Sequence, residues 1–412
     1  MNHWKKILIT ILAAALALCC LTPAALAAGT NDLRNPDGAV IGVSNRGLRR
    51  DYPENSMEGI LAAADTGIGW VLTDVRLTAD DTFVLFADET TERMLDGAGN
   101  KTVAEMTYDD LREYCLKEYS GGAGAKASNS RVPTLEQALA AARDKGFSLL
   151  LNADVSVLGE LCDFLAERDT AGSAALLVNA KAKDIAAALA GHDNCPPVIG
   201  VKRGNVIFAI WSYIRQAQEG GFAGVQLKTT NRYGVNFHQT VLGRFAGSLR
   251  AVADPTDSRL CGAREDSEKW WDDLISRGYS VIITDEAALF AEYLTRNDEA
   301  RDRLSQLYDR YTKDWQLPNF RSARFNDYKK AYTDAVTEAE RILNVASVST
   351  REMNDCAAAL QKAVDDINAN YDALEEGRAG STVSAPRIAI CVAAAAVVTA
   401  VQVYFFKKRK KS

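Results

Sequence analysis

Close behind the apolar run GAVIGV (38–43) stand Asn45, Arg46 and Gly47, and eight residues after Arg46 comes Glu54 within Pro53-Glu54-Asn55-Ser56. A guanidinium is a planar fork of donors that matches a carboxylate or a phosphate with two hydrogen bonds at once. Arg46 therefore has two available partners, Glu54 in a structural ion pair or a phosphate oxygen of a ligand. Further polar residues close other apolar runs: Asp74, Asp154, Asn179, Lys202, Lys228, Asp254 and Asp285. Asp74 and Asp154 can hold a cation between them, although two carboxylates make a weak site for a hard cation, which prefers six or more oxygens. Lys202 and Lys228 can add affinity for an anion. Histidine, the side chain that exchanges protons near neutral pH, occurs only as His3, His192 and His238. His192 lies in the loop GHDNCPP and His238 in a long segment after GVQLK, and each reads as a solvated loop residue.

The elements that must position these groups alternate in type. Short β-rich runs stand at 40–43, 70–75, 148–155, 175–179, 197–202, 224–228, 249–254 and 280–285. Amphipathic stretches such as SMEGILAAADTG, PTLEQALAAARDKG and KWWDDLISRG separate them, several ending in the glycine that stops a helix. Eight such units in about 250 residues predict a parallel (β/α)8 TIM barrel, whose C-terminal mouth collects polar strand ends into a site. FVLFAD (83–88) is a ninth run and reads as an insertion after the second strand.

After Leu294 the pattern becomes helical. Tyr332, Ala335, Val336, Ala339, Ile342 and Leu343 follow a 3.6-residue spacing, Ser349 and Glu352 form a capping box, and Met353, Cys356, Ala357, Leu360, Val364 and Ile367 make the next apolar face. This predicts a small α-helical bundle after the barrel.

The 412 residues carry a net charge of -6, which with no internal basic stripe gives no reason to expect a nucleic-acid partner. Lys5 and Lys6, an apolar run to Leu21 and Ala25-Leu26-Ala27 form the pattern of a cleaved signal peptide. Residues 388–406 hold nineteen residues without a charge, followed by KKRKKS. At about 1.5 Å per residue that run spans the roughly 30 Å hydrocarbon core, and the basic cluster marks the cytoplasmic side. The expected plan is a signal peptide (1–28), a barrel (29–296), a helical stalk (297–376), a linker (377–387), a transmembrane helix (388–406) and a basic tail (407–412). Barrel and stalk would then stand outside the cytoplasm on a single-pass membrane anchor. Five cysteines fall in the ectodomain, Cys115, Cys162, Cys195, Cys261 and Cys356, so at least one is unpaired within the chain.

Asn45-Arg46-Gly47, PENS (53–56), TDVRLTADDTFVLFADET (73–90), VPTLEQAL (132–139), LLLNADVS (149–156) and IITDEAAL (282–289) resemble, in order and spacing, the glycerophosphodiester phosphodiesterases, a family of phosphatidylinositol-phospholipase-C-like barrels. The resemblance covers about residues 38 to 295. It implies hydrolysis of phosphodiesters in lipid metabolism by two histidines acting as acid and base, an arginine on the phosphate, and Mg or Ca held by Glu-x-Asp on the second strand and Glu-x-Lys on the third.

The chain departs from that pattern. Asn45 and Ala87 stand where the resemblance implies the two histidines, Leu72-x-Asp74 replaces Glu-x-Asp, and Asp154-x-Ser156 replaces Glu-x-Lys. General acid–base groups each contribute ~10²–10⁴-fold, and neither Asn nor Ala exchanges a proton near pH 7. No catalytic residue is retained, Arg46, Glu54, Lys202 and Lys228 are the expected ligand-binding set, and the degenerate Asp74–Asp154 site holds Mg or Ca weakly or not at all. The expectation is a pseudoenzyme that binds an anionic phosphodiester, such as a lipid headgroup or a polyol-phosphate envelope polymer. Two alternatives stay open: a divergent metal-dependent phosphoric diester hydrolase using Asp74, Asp154 and Asp88 or His238, and a structural surface module. The stretch 331–367 is similar to the FIVAR repeats of bacterial surface proteins, which implies a spacer or sugar-binding stalk at a bacterial cell surface.

Overall fold

The computed structural model describes residues 33–192, 194–228, 234–256, 266–318 and 323–371. The expected signal peptide, linker, membrane span and basic tail, and Cys261, lie outside the described residues. Among the described residues no helix is long and apolar enough to cross a membrane.

Among the described residues nine strands form: β1 (Ile41–Asn45), β2 (Trp70–Leu77), β3 (Phe83–Leu85), β4 (Ser148–Ala153), β5 (Ala174–Val178), β6 (Val198–Arg203), β7 (Gly224–Lys228), β8 (Arg250–Ala253) and β9 (Val281–Thr284). Eight are parallel and run in the order β1-β9-β8-β7-β6-β5-β4-β2, with β1 pairing back to β2 to close a TIM barrel. The closing register sets Val43 against Trp70 on one side and against Ile283 on the other. β3 pairs antiparallel with β2, Val75 opposite Leu85, so FVL turns out of the barrel and opens an insertion with its own core around Phe86, Met94, Leu95, Leu111 and Leu116.

Strand periodicity of two sorts each strand into two faces. Val43, Trp70, Leu72, Leu150, Leu177, Ile199, Val201, Val252 and Ile283 fill the barrel interior. Their neighbours in sequence, among them Val71, Leu149, Leu151, Leu176 and Ala251, join the layer under the helices. Helix ends follow the sequence signals. Thr134 and Gln137 form a capping box on the helix Leu135–Lys145, which stops at Gly146 (φ 74°), and the helix Glu268–Arg277 stops at Gly278 (φ 109°). Only glycine adopts such angles without a Cβ penalty.

Beyond the barrel the helices Ala287–Asp309, Ala323–Leu343 and Thr350–Ala369 bury a shared core that includes Leu304, Ala339, Ile342, Met353, Leu360 and Val364. Ser349 caps the third of them as part of a capping box with Glu352. The first helix packs on the barrel through Phe290 and Tyr293 and continues without a break past residue 296 into the bundle. The compositional change at Leu294 therefore marks a change of neighbours within one helix. The bundle meets the N-terminal end of the barrel, where Ser347 Oγ donates to the carbonyl of Gly38, just ahead of β1, at 2.6 Å.

Candidate functional site

The strand C-termini enclose a cavity of about 250 Å³. Its apolar lining is Leu72, Leu177 and Val201, each continuing the inward face of its strand. Polar side chains crowd two walls above it.

The first wall is the corner after β1. Arg46 and Asn55 both take left-handed backbone (φ 59° each), and Arg46 N and Asn55 N close the loop onto Leu72 O and Arg46 O at 2.9 and 3.0 Å. Gly47 (φ 77°) lies against the following helix so closely that a Cβ would stand 2.5 Å from the backbone of Gly59. A side chain there would expel the loop from its seat. Arg46 Nη1 donates to Glu54 Oε2 at 3.1 Å, and its Nε lies 2.7 Å from Asp74 Oδ2, close enough for an ion pair but off the N–H axis. Burial works against the charge on Arg46, yet the carboxylates of Asp74 and Glu54 outweigh it and hold its pKa above the ordinary value. Asn55 Nδ2 donates to Asp74 Oδ2 at 2.9 Å, and Asn152 Nδ2 donates to Asp74 Oδ1 at 2.6 Å. Glu54, with a side chain 1% exposed, also receives Arg93, which forks onto Asp88 through Nε and Nη2.

Of the two partners that its type allowed, Arg46 makes the ion pair with Glu54. Nε and Nη1 are held by carboxylates, and no partner among the described residues occupies Nη2 of a residue that lines the cavity.

The second wall comes from β7, β8 and the loop after β8. Gln226 Nε2 donates to Asp254 Oδ2 at 3.2 Å, Thr256 Oγ1 to Asp254 Oδ1 at 2.6 Å, and Asn45 Nδ2 to Thr256 Oγ1 at 2.7 Å. Lys228 Nζ stands 3.8 Å from Asp254 Oδ2. Arg49 makes a two-pronged pair with Asp285, both distances 2.6 Å. Arg203 also lines the cavity and has no ion-pair partner among the described residues.

The cavity brings together Asn45, Arg46, Leu72, Asp74, Asn179, Lys228 and Asp254 of the residues singled out in the sequence, with Glu54 behind Arg46. It leaves out Lys202, Asp154, Ala87, His192 and His238. Lys202 points to the helix side of β6, as does Gly200 beside it in parity, and its ammonium donates to the carbonyl of Arg203. Counting by twos from Ile199 and Val201 leads to Arg203. Asp154 lies past the end of β4 and caps the turn Val155–Val157, accepting from Ser156 N at 2.9 Å and Ser156 Oγ at 2.8 Å. Those two bonds hold its carboxyl below the usual range. The β4 residue that reaches Asp74 is Asn152, in step with Leu150. Ala87 offers only its carbonyl, which accepts from Arg76. His192 pairs with Asp163, and His238 caps the helix Gln239–Leu242; neither lines the cavity.

Four cations (Arg46, Arg49, Arg203, Lys228) and two carboxylates (Asp74, Asp254) line the site, with no histidine. Among the described residues no group of three His, Cys, Asp or Glu side chains could hold a metal ion. The donor set agrees with this. Both oxygens of Asp74 already face amide or guanidinium donors, and the adjoining β2 position is Leu72.

Residues 46–198 match the sequence model of the glycerophosphoryl diester phosphodiesterase family. Glycerophosphodiester phosphodiesterase 1 of Bos taurus is 31% identical over 109 residues, 26% of this chain and 31% of that protein. The glycerophosphodiester phosphodiesterase of Caldanaerobacter subterraneus subsp. tengcongensis is 30% identical over 115 residues, 27% of this chain and 44% of its own length. The chain therefore matches less than half the length of either relative. A crystal structure of a glycerophosphoryl diester phosphodiesterase from Parabacteroides distasonis ATCC 8503 superposes with a TM-score of 0.52 at 21% identity, covering 65% of this chain and 92% of that one. At that identity the likeness concerns the fold.

Proposed function

With its barrel carrying a domain of the glycerophosphoryl diester phosphodiesterase family, we propose that this chain binds an anionic phosphodiester at its mouth and has lost the family's ordinary hydrolysis. The observation that carries this reading is the state of Asp74, whose two oxygens are taken by Arg46, Asn55 and Asn152 in a cavity without a histidine. Phosphodiester hydrolysis needs a proton donor for the leaving alkoxide and countercharge on the phosphoryl oxygens. This site supplies the countercharge. Arg46, whose Nη2 has no partner among the described residues, and Arg203 line the cavity, and Lys228 and Arg49 add positive potential. It supplies no side chain suited to shuttle the proton.

The residues present do not fit Mg or Ca. Two carboxylates on opposite walls, one saturated by nitrogen donors, fall short of the oxygen shell such a cation requires, and binding as proposed runs without metal. We place the barrel outside the cytoplasm, behind a signal peptide (1–28) and ahead of a membrane span (388–406), and read residues 297–376 as a FIVAR-like stalk.

The test is hydrolysis and binding by the full-length protein in detergent. Substrates are glycerophosphoglycerol, glycerophosphocholine and an aryl phosphodiester, each with Mg²⁺, with Ca²⁺ and with chelator. We expect no turnover above buffer, and a rise in melting temperature with glycerophosphoglycerol that chelator leaves in place. Arg203→Ala, at an exposed residue without an ion-pair partner among the described residues, should diminish that rise with little effect on the unliganded protein; Arg46→Ala should abolish it. Turnover that disappears in Arg46→Ala would overturn the reading in favour of a divergent hydrolase.

A further inference from the structure

Away from the mouth, in the helical layer around the barrel, two cysteines lie against each other. The helix Leu158–Glu167 buries Leu158, Leu161, Cys162 and Leu165. His192, in the connection between the helix Ala182–Ala188 and β6, lies across one turn of it. A Cβ on Gly159 would stand 2.7 Å from His192 Nε2, and His192 Nδ1 is 2.7 Å from Asp163 Oδ1. Cys162 belongs to the turn so covered. Just beyond His192 the chain folds back, and Cys195 donates from Sγ to the His192 carbonyl at 3.4 Å. It is held from the other side too. The Cys195 carbonyl accepts from Arg34 at 3.2 Å, and Pro197 O accepts from Leu176 N at 2.8 Å as β6 begins. These ties bring two sulfurs together. Cys195 packs against the core that contains Cys162, and the two thiols are hydrogen-bonded to each other.

Both are free thiols, and they differ in access: Cys162 is buried and Cys195 is half-buried. Burial, and after it the hydrogen bond to Cys195, push the Cys162 thiol up. It stays protonated and is shielded from a reagent in solution. Among the described residues no other cysteine competes for either sulfur, because Cys115 lies in the insertion after β3 and Cys356 in the core of the helical bundle.

We propose that Cys162 and Cys195 are a disulfide-forming pair, which a disulfide oxidant closes into an intramolecular bond that clasps the β5–β6 connection to the helix Leu158–Glu167. Cys195 loses its proton and its sulfur attacks the oxidant's disulfide, so that a mixed disulfide forms and one thiolate leaves. Cys162, already in contact, then gives up its proton and attacks the Cys195 sulfur, and the second thiolate leaves. The two cysteines lose two electrons; the oxidant's disulfide gains them and departs as two thiols carrying the two protons. The bond encloses a loop of roughly 30 residues, β5 among them, and so restrains the unfolded chain. Oxidants of this kind belong to compartments outside the cytoplasm, where the barrel is proposed to stand. The chemistry itself rests on the two thiols and not on what the mouth binds.

Peptide mapping of the full-length protein tests this. The protein is purified in detergent with reductant, freed of it, and kept folded in oxidised glutathione or in a phosphine. Remaining thiols are then blocked with maleimide in urea, and the digest is read by mass spectrometry without reduction. We expect a peptide pair joined through Cys162 and Cys195 in glutathione and none in phosphine. The oxidised protein should melt about 5 °C or more above the reduced one. Cys195→Ser should remove both the link and the rise, and Cys115→Ser should keep both. Cys162→Ala should act as Cys195→Ser does, and if it weakens the core the less buried Cys195→Ser decides. Glutathione on Cys195 with no link to Cys162, a link from either residue to Cys115, Cys261 or Cys356, or two thiols still free would overturn the pair. So would a link that forms only once urea has unfolded the chain. A link that leaves the melting temperature unchanged would overturn the clasp.

Discussion

Glu54 is the residue on which the phosphate corner depends. Its side chain is 1% exposed and receives two arginines, Arg46 at 3.1 Å on one oxygen and Arg93 on the other. Removing one member of a buried charge cluster leaves the rest uncompensated, at about 3–5 kcal/mol. Both arginines keep roughly a quarter to a third of their side-chain surface in water, so Glu54→Gln should fall at the low end, about 3 kcal/mol by urea titration. The exposed pair Arg50–Glu286 gives the contrast, and Glu286→Gln should cost less than about 0.5 kcal/mol. Equal losses would mean that the cluster is no more than a solvated ion pair. At this scale the sequence was legible in residue type and less so in direction. Arg46, Asp74 and Lys228 stood out as polar groups ending apolar runs. Lys202 and Arg203 are adjacent cations on one strand end, and only the alternation set by Ile199 and Val201 tells which faces inward. Asn152 was hidden by its neighbour Asp154, whose charge drew attention although its carboxylate closes a local turn.

Among the elements, the strands were readable because buried parallel strands are short β-branched runs bounded by glycines and polar ends, and eight of them in succession leave few topologies. The helix Ala287–Asp309 was harder. It serves two cores, and its apolar residues follow the barrel through Tyr293 and the bundle from Ala300. The change of partner left a composition shift that looks like a boundary. Asn297 sits at that exchange, 5% exposed, with Nδ2 donating to Val348 O at 2.9 Å and to Thr350 Oγ1 at 3.1 Å. Next to it the Tyr293 hydroxyl bonds Asp272 at 2.8 Å and accepts from Thr350 N. Asn297→Ala strands a buried carbonyl and a hydroxyl, which should cost about 2 kcal/mol. Amide exchange should locate the loss, accelerating in residues 350–369 while the strands stay protected. Exchange that rises evenly over barrel and bundle would show instead that the two open only together.

The whole molecule sets its mouth and its last described residue at opposite poles. Asn45, Asp74 and Lys228 gather at the strand C-termini, while Gly38, ahead of β1, accepts from Ser347 beneath the barrel. Helix Ala287–Asp309 leaves β9 at the mouth and descends; helix Thr350–Ala369 starts beside Tyr293 and descends with it, Gln361 meeting the Tyr311 hydroxyl at 2.7 Å. Tyr371 packs by Phe325 at the far end. A membrane span at 388–406, as proposed, would follow that pole and turn the cavity away from the chain's own membrane, toward ligands presented from outside. Full-length protein reconstituted into phosphatidylcholine vesicles should then gather a second set of vesicles bearing phosphatidylglycerol, whose headgroup is a polyol phosphodiester, and should ignore a second set of phosphatidylcholine alone. Light scattering reads the clustering, and Arg203→Ala should weaken it. Because Arg203 lines the cavity as an exposed cation, the clustering should also decline as salt shortens the Debye length from about 8 Å toward about 3 Å at 1 M. Soluble glycerophosphoglycerol bound normally by vesicles that never cluster would place the mouth against its own bilayer and reverse the orientation.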